Sequence, residues 1–232
     1  MHYKDWNLEL RKKYKDFLFE YITPERKKRF EDILPFRNRY VTVGIENVYQ
    51  PHNASAVLRS CDCFGVQDVH IIENEYKYEL SENVTMGSNK WLDIHLYNEE
   101  ENNTLEAINT LKSKGYRIVA TTPHTDDCLI DDLPLEEGKL CLLFGTELEG
   151  LSDIAMEHAD EFVKIPMYGF TESFNISVCA ALSIYNLSER LRKSDIDWKL
   201  SEEEQIDINI EWARRSIRRI EVFEEKFIQD NF

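Results

Sequence analysis

Hydrophobic positions along the chain recur with two different periods, and the switch between them predicts the architecture. Across residues 3–22 the apolar side chains of Trp6, Leu10, Phe17, Leu18 and Tyr21 fall close to helical spacing. Thr23-Pro24 then restarts the chain. Thr23 suits an N-cap and Pro24 the first helical position, so a second short helix is predicted over residues 25–34. From Arg39 onward, short β-branched runs alternate with helical stretches: YVTVGIENV, HNASAVLRSCDCFG, VQDVHIIE, WLDIHLY, TLEAINTLKSKG, YRIVATT, KLCLLFG, SDIAMEHA, EFVKIP and NISVCAALSIYNLSERLRK. Strands that alternate with helices need crossover connections, which give a mostly parallel sheet with helices on both faces, an α/β fold. Asn53 is expected to cap one helix and Gly65 to end it, and Gly115 to end the helix after WLDIHLY. Residues 74–90 carry no assignable pattern.

The pattern changes again after Lys193. Ser201 followed by Glu202-Glu203-Glu204 reads as a capped helix start with acidic residues at the favourable end of the dipole. Ala213, Ile217, Ile220, Phe223 and Phe227 then share one face, with Arg214, Arg215, Arg218 and Arg219 opposite, which predicts a packed helix carrying an exposed arginine ridge. The expected organisation is a helical N-terminal extension over residues 1–38, an α/β domain over 39–191 and a helical C-terminal extension over 192–232.

Composition narrows the class. A length of 232 residues suits one medium domain with additions, and 42% hydrophobic residues with 12% aromatics is too rich for a disordered chain. No apolar run approaches the roughly 20 residues of a membrane helix, and MHYKDWNLELRKKYKDF lacks the apolar stretch of a signal peptide. A soluble, cytoplasmic protein with no membrane partner is expected. The five cysteines are odd in number with no CxxC pair, which points to reduced thiols, and the six histidines lack ligand spacing, so no metal is expected. A net charge of -16 argues by itself against a nucleic-acid partner, because phosphate binding depends on Lys and Arg. The distribution modifies that: residues 1–40 carry 11 Lys+Arg against 7 Asp+Glu, a basic arm on an acidic body. The densest cationic clusters, Arg26-Lys27-Lys28-Arg29 and the ridge of Arg214, Arg215, Arg218 and Arg219, are the candidate docking surfaces for any nucleic-acid partner.

Parallel α/β sheets bind ligands at the carboxyl ends of their strands, so chemistry is sought in the loops that leave them. The loop Gly145-Thr146-Glu147-Leu148-Glu149-Gly150 is bracketed by glycines but is not followed by Lys-Ser/Thr, so it is no P-loop. No strand is followed by GxGxxG, and there is no GxSxG elbow. The residues alone give a ligand-binding α/β domain with acidic and amide groups at strand ends.

Three segments, NVYQPHNASAVLRSCDCFGVQDVHII, LCLLFGTELEGLS and VKIPMYGFTESFNISVCAALSIY, resemble in order the three signature motifs of the SPOUT superfamily of RNA 2'-O-methyltransferases. The flanking helices are similar to those of its TrmH-type tRNA guanosine 2'-O-methyltransferases. The resemblance implies an α/β knot in the C-terminal half of the domain, S-adenosylmethionine as cofactor, a homodimer, and a guanosine ribose in the tRNA D-loop as target. A ribosomal RNA 2'-O-methyltransferase of the same superfamily and a non-catalytic RNA-binding relative are the alternatives. Matching positions imply catalytic roles for Asn53, Arg59, Glu147, Ser173 and Asn175. They imply mainly main-chain cofactor contacts at Thr121, Gly145, Ile165 and Phe174, the last standing where leucine is more usual. Each has a plainer reading: Asn53, Ser173 and Asn175 as helix caps, Arg59 as a solvated helical arginine, Glu147 as a loop acid.

Overall fold

The computed structural model describes residues 3–77, 82–123, 128–146 and 148–232. It resolves into two units, one of Asn38–Trp198 and one that combines Met1–Arg37 with Lys199–Phe232. In the helical unit, α1 (Leu8–Phe19) starts at Asn7, whose side chain accepts the Leu10 N–H at 2.9 Å. The helix is therefore shorter than its apolar pattern, and Tyr3–Asp5 forms a separate 3₁₀ turn before it. Helix α2 (Pro24–Ile33) begins as predicted, with Thr23 capping and Pro24 in the first turn.

The α/β unit follows the alternation read from the sequence: β1 (Val41–Glu46), α3 (Pro51–Phe64), β2 (Asp68–Ile72), α4 (Glu82–Thr85), β3 (Asp93–Tyr97), α5 (Asn103–Ser113), β4 (Arg117–Thr121), β5 (Cys128–Leu129), β6 (Leu140–Phe144), α6 (Asp153–His158), β7 (Glu161–Lys164) and α7 (Ile176–Lys193). Among the described residues the sheet has seven strands in the order β3-β2-β1-β6-β4-β7-β5, and every pairing is parallel.

The period-2 geometry of β1 and β6 divides the core. Val41, Val43, Ile45, Leu140, Leu142 and Phe144 pack on one side with Val57, Leu58 and Cys61 of α3 and Ala180, Ile184 and Leu187 of α7. On the other side Cys141 and Leu143 pack with Ala107, Ile108 and Leu111 of α5 and Ala155 of α6. Burial on both faces explains why LCLLF is a continuous apolar run. Each fully buried leucine in it contributes about 1.5–3 kcal/mol.

Two local expectations are corrected. Helix α3 starts at Pro51 with Gln50 in the N-cap position, so Asn53 lies inside the first turn and is not the cap. Proline prefers the first helical position, where its missing N–H costs nothing, and this sets the boundary three residues earlier. Gly65 does end the helix, with a left-handed φ of 82°. Within the unassigned stretch, the side-chain oxygen of Asn47, itself left-handed at φ 55°, accepts the backbone N–H groups of Asn74, Glu75 and Tyr76 at 3.0, 2.8 and 3.4 Å. The short α4 and the 3₁₀ turn Ser88–Lys90 follow.

The second correction concerns the C-terminal helix. Ser201 and Glu204 form the expected capping box of α8 (Glu202–Ser216), but the helix stops there. Arg219 adopts a left-handed φ of 54°, and a separate helix, α9 (Ile220–Asn231), begins. Ala213, Ile217, Ile220 and Phe227 still pack together, against Tyr3, Trp6, Tyr14 and Leu18. The arginines do not form a uniform ridge. Arg214 is half-buried, donates to Glu224 at 2.7 Å and Glu211 at 3.0 Å, and lies 5.4 Å over the Tyr3 ring. Arg215 pairs with Glu211 at 3.6 Å, while Arg218 and Arg219 are exposed at the break.

One polar cluster is built into the sheet where β2 meets β3. His70 is buried with its Nδ1 3.0 Å from the Tyr97 hydroxyl, and its ring stacks on His95 at 4.6 Å. His95 in turn lies 2.7 Å from Asp68, which Arg39 pairs at 2.9 Å. Burial, reinforced by the neighbouring His95, pushes His70 down to about 3.

Candidate active site

The carboxyl ends of β4, β6 and β7 and the start of α7 enclose a cavity of about 430 Å³. Its walls are apolar where the strands end, with Phe144, Val163, Leu151 and Ile176, and polar along the loops. Thr121 closes β4, and its hydroxyl donates to the Leu143 carbonyl at 2.9 Å, tying that strand end to β6. The four positions expected to hold a cofactor, Thr121, Gly145, Ile165 and Phe174, all line this one cavity, and so does Ser173. Cys179 and Ser183 of α7 lie among its walls, and burial pushes the Cys179 thiol up to about 11, so it stays neutral.

The glycine-bracketed loop forms the rim. Thr146 N–H donates to the Gly150 carbonyl at 2.8 Å and Gly150 N–H returns to the Thr146 carbonyl at 3.2 Å, closing the loop on itself. Gly150 needs a left-handed φ of 74°. At Gly145 a Cβ would run into the Gly150 carbonyl group and the Leu151 nitrogen, so only glycine permits this closure. Glu147 lies outside the described residues.

Beside the cavity, the amides of Asn53 and Asn175 meet: Asn175 Nδ2 donates to Asn53 Oδ1 at 3.3 Å. Asn53 is buried in the first turn of α3 and also donates to Gln50 at 3.3 Å. Asn175 caps α7, its Oδ1 accepting the Ser177 N–H at 2.9 Å and the Ser177 hydroxyl at 2.6 Å. The cap reading of Asn175 therefore holds together with its place at the site. Arg59 is exposed on α3 and does not line the cavity. Among the described residues no hydrogen bond or ion pair engages it.

Two features were not singled out in the sequence. Glu46, at the end of β1, is buried and accepts hydrogen bonds from Thr104 Oγ1, Ser152 Oγ and Ser152 N. Tyr49 and Tyr76 form an exposed edge-to-face pair, centroids 5.1 Å apart, beside the start of α3. An acid closing an otherwise apolar strand was the available signal for Glu46. Tyr49 stood in a quoted motif without drawing attention.

The profile of the SpoU rRNA Methylase family matches residues 40–185. The chain belongs to the SpoU methylase family. A relative, the tRNA (guanosine(18)-2'-O)-methyltransferase of Borreliella burgdorferi, is 41% identical over 207 residues, which cover 89% of this chain and 93% of the relative. The protein of the same name from Thermus thermophilus is 32% identical over 174 residues, 75% of this chain and 87% of that one. Among solved structures, the A. aeolicus TrmH/SpoU tRNA modifying enzyme superposes with a TM-score of 0.73 at 31% identity, covering 84% of this chain and 98% of that chain. The SpoU methyltransferase AviRb from Streptomyces viridochromogenes, solved with AdoMet, shares the fold at a TM-score of 0.56 and 23% identity over 70% of this chain and 62% of its own.

The candidate RNA-docking cations lie in the helical unit. Arg26, Lys28 and Arg29 are exposed on α2 and Lys27 is half-buried, with Lys28 paired to Asp32 at 3.0 Å. Among the described residues no group of three or more His, Cys, Asp or Glu side chains is placed to hold a metal ion, and no helix is long and apolar enough to cross a membrane.

Proposed function

We propose that the chain methylates the ribose 2'-hydroxyl of a guanosine in the tRNA D-loop, guanosine 18 in the relatives' names, with S-adenosylmethionine as donor and in the cytoplasm. The observation that carries this is the convergence of Thr121, Gly145, Ile165 and Phe174 on one cavity at the strand ends, beside the Asn53–Asn175 pair. The cavity falls within the roughly 300–1,000 Å³ of small-molecule sites. Its apolar walls suit a purine and its exposed loop backbone suits polar groups. S-adenosylmethionine supplies an electrophilic methyl group on a sulfonium.

The protein's own contribution is orientation and charge. The Asn53–Asn175 contact joins the start of α3 to the start of α7, so the helix that carries Arg59 is fixed relative to the cavity wall. A guanidinium stays charged at any working pH and cannot act as a base. Arg59 instead binds the phosphate beside the target ribose and stabilises negative charge developing on the 2'-oxygen, while the proton leaves to water or phosphate. Holding the 2'-oxygen in line with the transferring methyl supplies much of the remaining rate. Ser173, at the cavity wall, and Glu147 complete the set of residues assigned to the reaction.

Arg59 lies outside the cavity of its own chain, so the reading includes a homodimer in which a second copy completes the site. The exposed apolar side chains Val178, Leu182 and Tyr185 of α7 offer a self-complementary surface next to α3, against which α7 packs. Light scattering should give close to twice 27.5 kDa, and Leu182→Glu should yield an inactive monomer. A stable, active monomer would sink the dimer.

In this reading residues 1–38 and 192–232 act as RNA-binding extensions of a methyltransferase domain over residues 39–191. The deciding experiment is methyl transfer from labelled S-adenosylmethionine to unmodified tRNA and to ribosomal RNA, with the product nucleotide mapped. Methylation of the D-loop guanosine is expected. Incorporation into ribosomal RNA alone would favour the second activity, which the name of the matching family keeps open.

A further inference from the structure

We infer that Glu46 is a positioning residue for cofactor binding, holding the exit of the Gly145 loop in place through Ser152; this rests on the cavity being the S-adenosylmethionine site. The loop enters from β6, which is paired to β1 as far as Phe144, the residue before Gly145, and to β4 as far as Leu143. It leaves through Gly150 and Leu151, both of which line the cavity, and its first fixed point beyond them is Ser152. Ser152 caps α6, its Oγ accepting the Ala155 N–H at 3.2 Å, and both its N–H (2.9 Å) and its hydroxyl (2.6 Å) donate to the Glu46 carboxylate.

Glu46 is only 2% exposed, and its third donor is Thr104 Oγ1 on α5. Thr104 is tied by Asn74 Nδ2 at 2.8 Å, and the backbone N–H of Asn103 reaches Asn74 Oδ1 at 3.0 Å. One carboxylate thus links the end of β1 to the first turns of α5 and α6. Because β1 runs directly into the segment that starts α3, the strand that positions Asn53 also sets the shape of the cavity rim. Glu46 uses both oxygens here: Oε2 takes the Ser152 N–H, a donor that cannot turn away, and Oε1 takes the two hydroxyls, which can rotate.

The donor arrangement makes the test specific. In Glu46→Gln the amide oxygen can take the Ser152 N–H, while the amide NH₂ donates to the Ser152 and Thr104 hydroxyls, which rotate to accept. Glu46→Asp withdraws the carboxylate by one methylene, and Glu46→Ala removes it. Thr104→Val cuts the α5 side of the same network and leaves the Ser152 bonds. S-adenosylmethionine affinity of the full-length protein is measured by calorimetry, well below each variant's melting temperature, together with KM for S-adenosylmethionine and for tRNA.

Glu46→Asp and Glu46→Ala should raise the S-adenosylmethionine Kd and KM by about tenfold or more, the scale of one to two lost buried hydrogen bonds, with the tRNA KM nearly unchanged. Glu46→Gln should stay within about threefold and Thr104→Val within about twofold of wild type, although Thr104→Val lowers the melting temperature. If Glu46→Ala does not fold, Ser152→Ala, which keeps the carboxylate but loses the hydroxyl's bond to it and the cap on Ala155, should still weaken binding several-fold. Wild-type affinity in folded Glu46→Ala or Glu46→Asp, or in Ser152→Ala, would overturn the inference. So would an equal loss in Thr104→Val. Failure of the wild-type protein to bind S-adenosylmethionine would instead remove the cofactor reading on which the inference stands.

Discussion

Gly145→Ala should weaken S-adenosylmethionine binding far more than it weakens the fold. The added Cβ would lie under 3 Å from the Gly150 carbonyl carbon and oxygen and from the Leu151 nitrogen, all of them backbone. Carbon–carbon contacts settle at about 3.5–4.0 Å, so residues 150 and 151 must retreat by about an ångström or the strand end must twist. Either movement breaks the reciprocal bonds between Thr146 and Gly150, at 2.8 and 3.2 Å. Each is worth about 0.5–1.5 kcal/mol net, a combined loss of about 1–3 kcal/mol concentrated at the cavity rim. Replacing a glycine returns about 0.4–1 kcal/mol through the unfolded state, which softens the effect on global stability but not on the site. The expected result is a Kd raised by roughly 5- to 100-fold with a modest fall in melting temperature.

Gly44→Ala is the control. Its Cβ would meet the end of the Leu143 side chain at 2.7 Å, in the packed core and away from the rim, so it should lower stability and leave the Kd alone. If Gly145→Ala bound S-adenosylmethionine as tightly as wild type, or if Gly44→Ala lost as much affinity, the assignment of the loop as the cofactor rim would be wrong.

Arg59→Ala should abolish methyl transfer while leaving S-adenosylmethionine affinity unchanged by calorimetry; near-normal turnover would remove Arg59 from the mechanism. Reversing Arg26, Lys27, Lys28 and Arg29 to glutamate should weaken tRNA binding and lower the magnitude of the salt slope by about 0.7–0.9 for each phosphate that no longer meets a cation, and an unchanged slope would place the RNA elsewhere. Arg214→Ala should cost about 1–2 kcal/mol in urea unfolding, because it removes the cation that bridges the partly buried Glu211 and Glu224, whereas Arg218→Ala should be neutral; equal effects would restore the exposed ridge. His70 is held down at about 3, so between pH 6.5 and 3 the unfolded chain binds a proton that the folded chain refuses, and stability should fall as pH drops below 6.5. A His70→Asn variant should flatten the urea midpoint between about pH 7 and 5, and parallel profiles would refute it.

The sheet was legible because buried parallel strands leave an unmistakable record: LCLLF and the alternation around it need no tertiary information to be recognised. The two-residue β5 has no period to detect. The break after α8 was invisible for a different reason. The apolar positions Ala213, Ile217, Ile220 and Phe227 keep helical spacing through it, and nothing in the sequence marks Arg219 as the residue that turns left-handed, a conformation few non-glycine residues adopt. Asn53 was placed wrongly as a cap because its side chain suits the role, but Pro51 had the stronger claim on the boundary. At the site, Thr121, Gly145, Ile165 and Phe174 could be found from strand ends and motif resemblance. Glu46 could not, since its partners Thr104 and Ser152 lie 58 and 106 residues away and only the fold brings them together.

The charge distribution sharpens the question of how such a protein holds RNA. The helical unit carries 16 Lys+Arg against 16 Asp+Glu, so the α/β unit, with 12 against 28, bears the entire net charge of -16. Most of its arginines are already engaged: Arg39 with Asp68 and Asp93, Arg117 with Glu137 and Glu161, Arg190 with the carbonyls of Ile130 and Leu133, and Arg192 with Glu189 and the Phe64 carbonyl. Arg59 differs, being exposed and unengaged among the described residues. At physiological salt the Debye length is about 8 Å, so a phosphate beside Arg59 or beside α2 responds to those cations while charges farther away than that are largely screened. Lowering the salt lengthens that reach and brings the body's repulsion into play. Affinity should therefore rise less steeply on dilution than the number of docking cations implies, and a slope shallower than the number of phosphates engaged is the behaviour expected of a basic patch on an acidic enzyme.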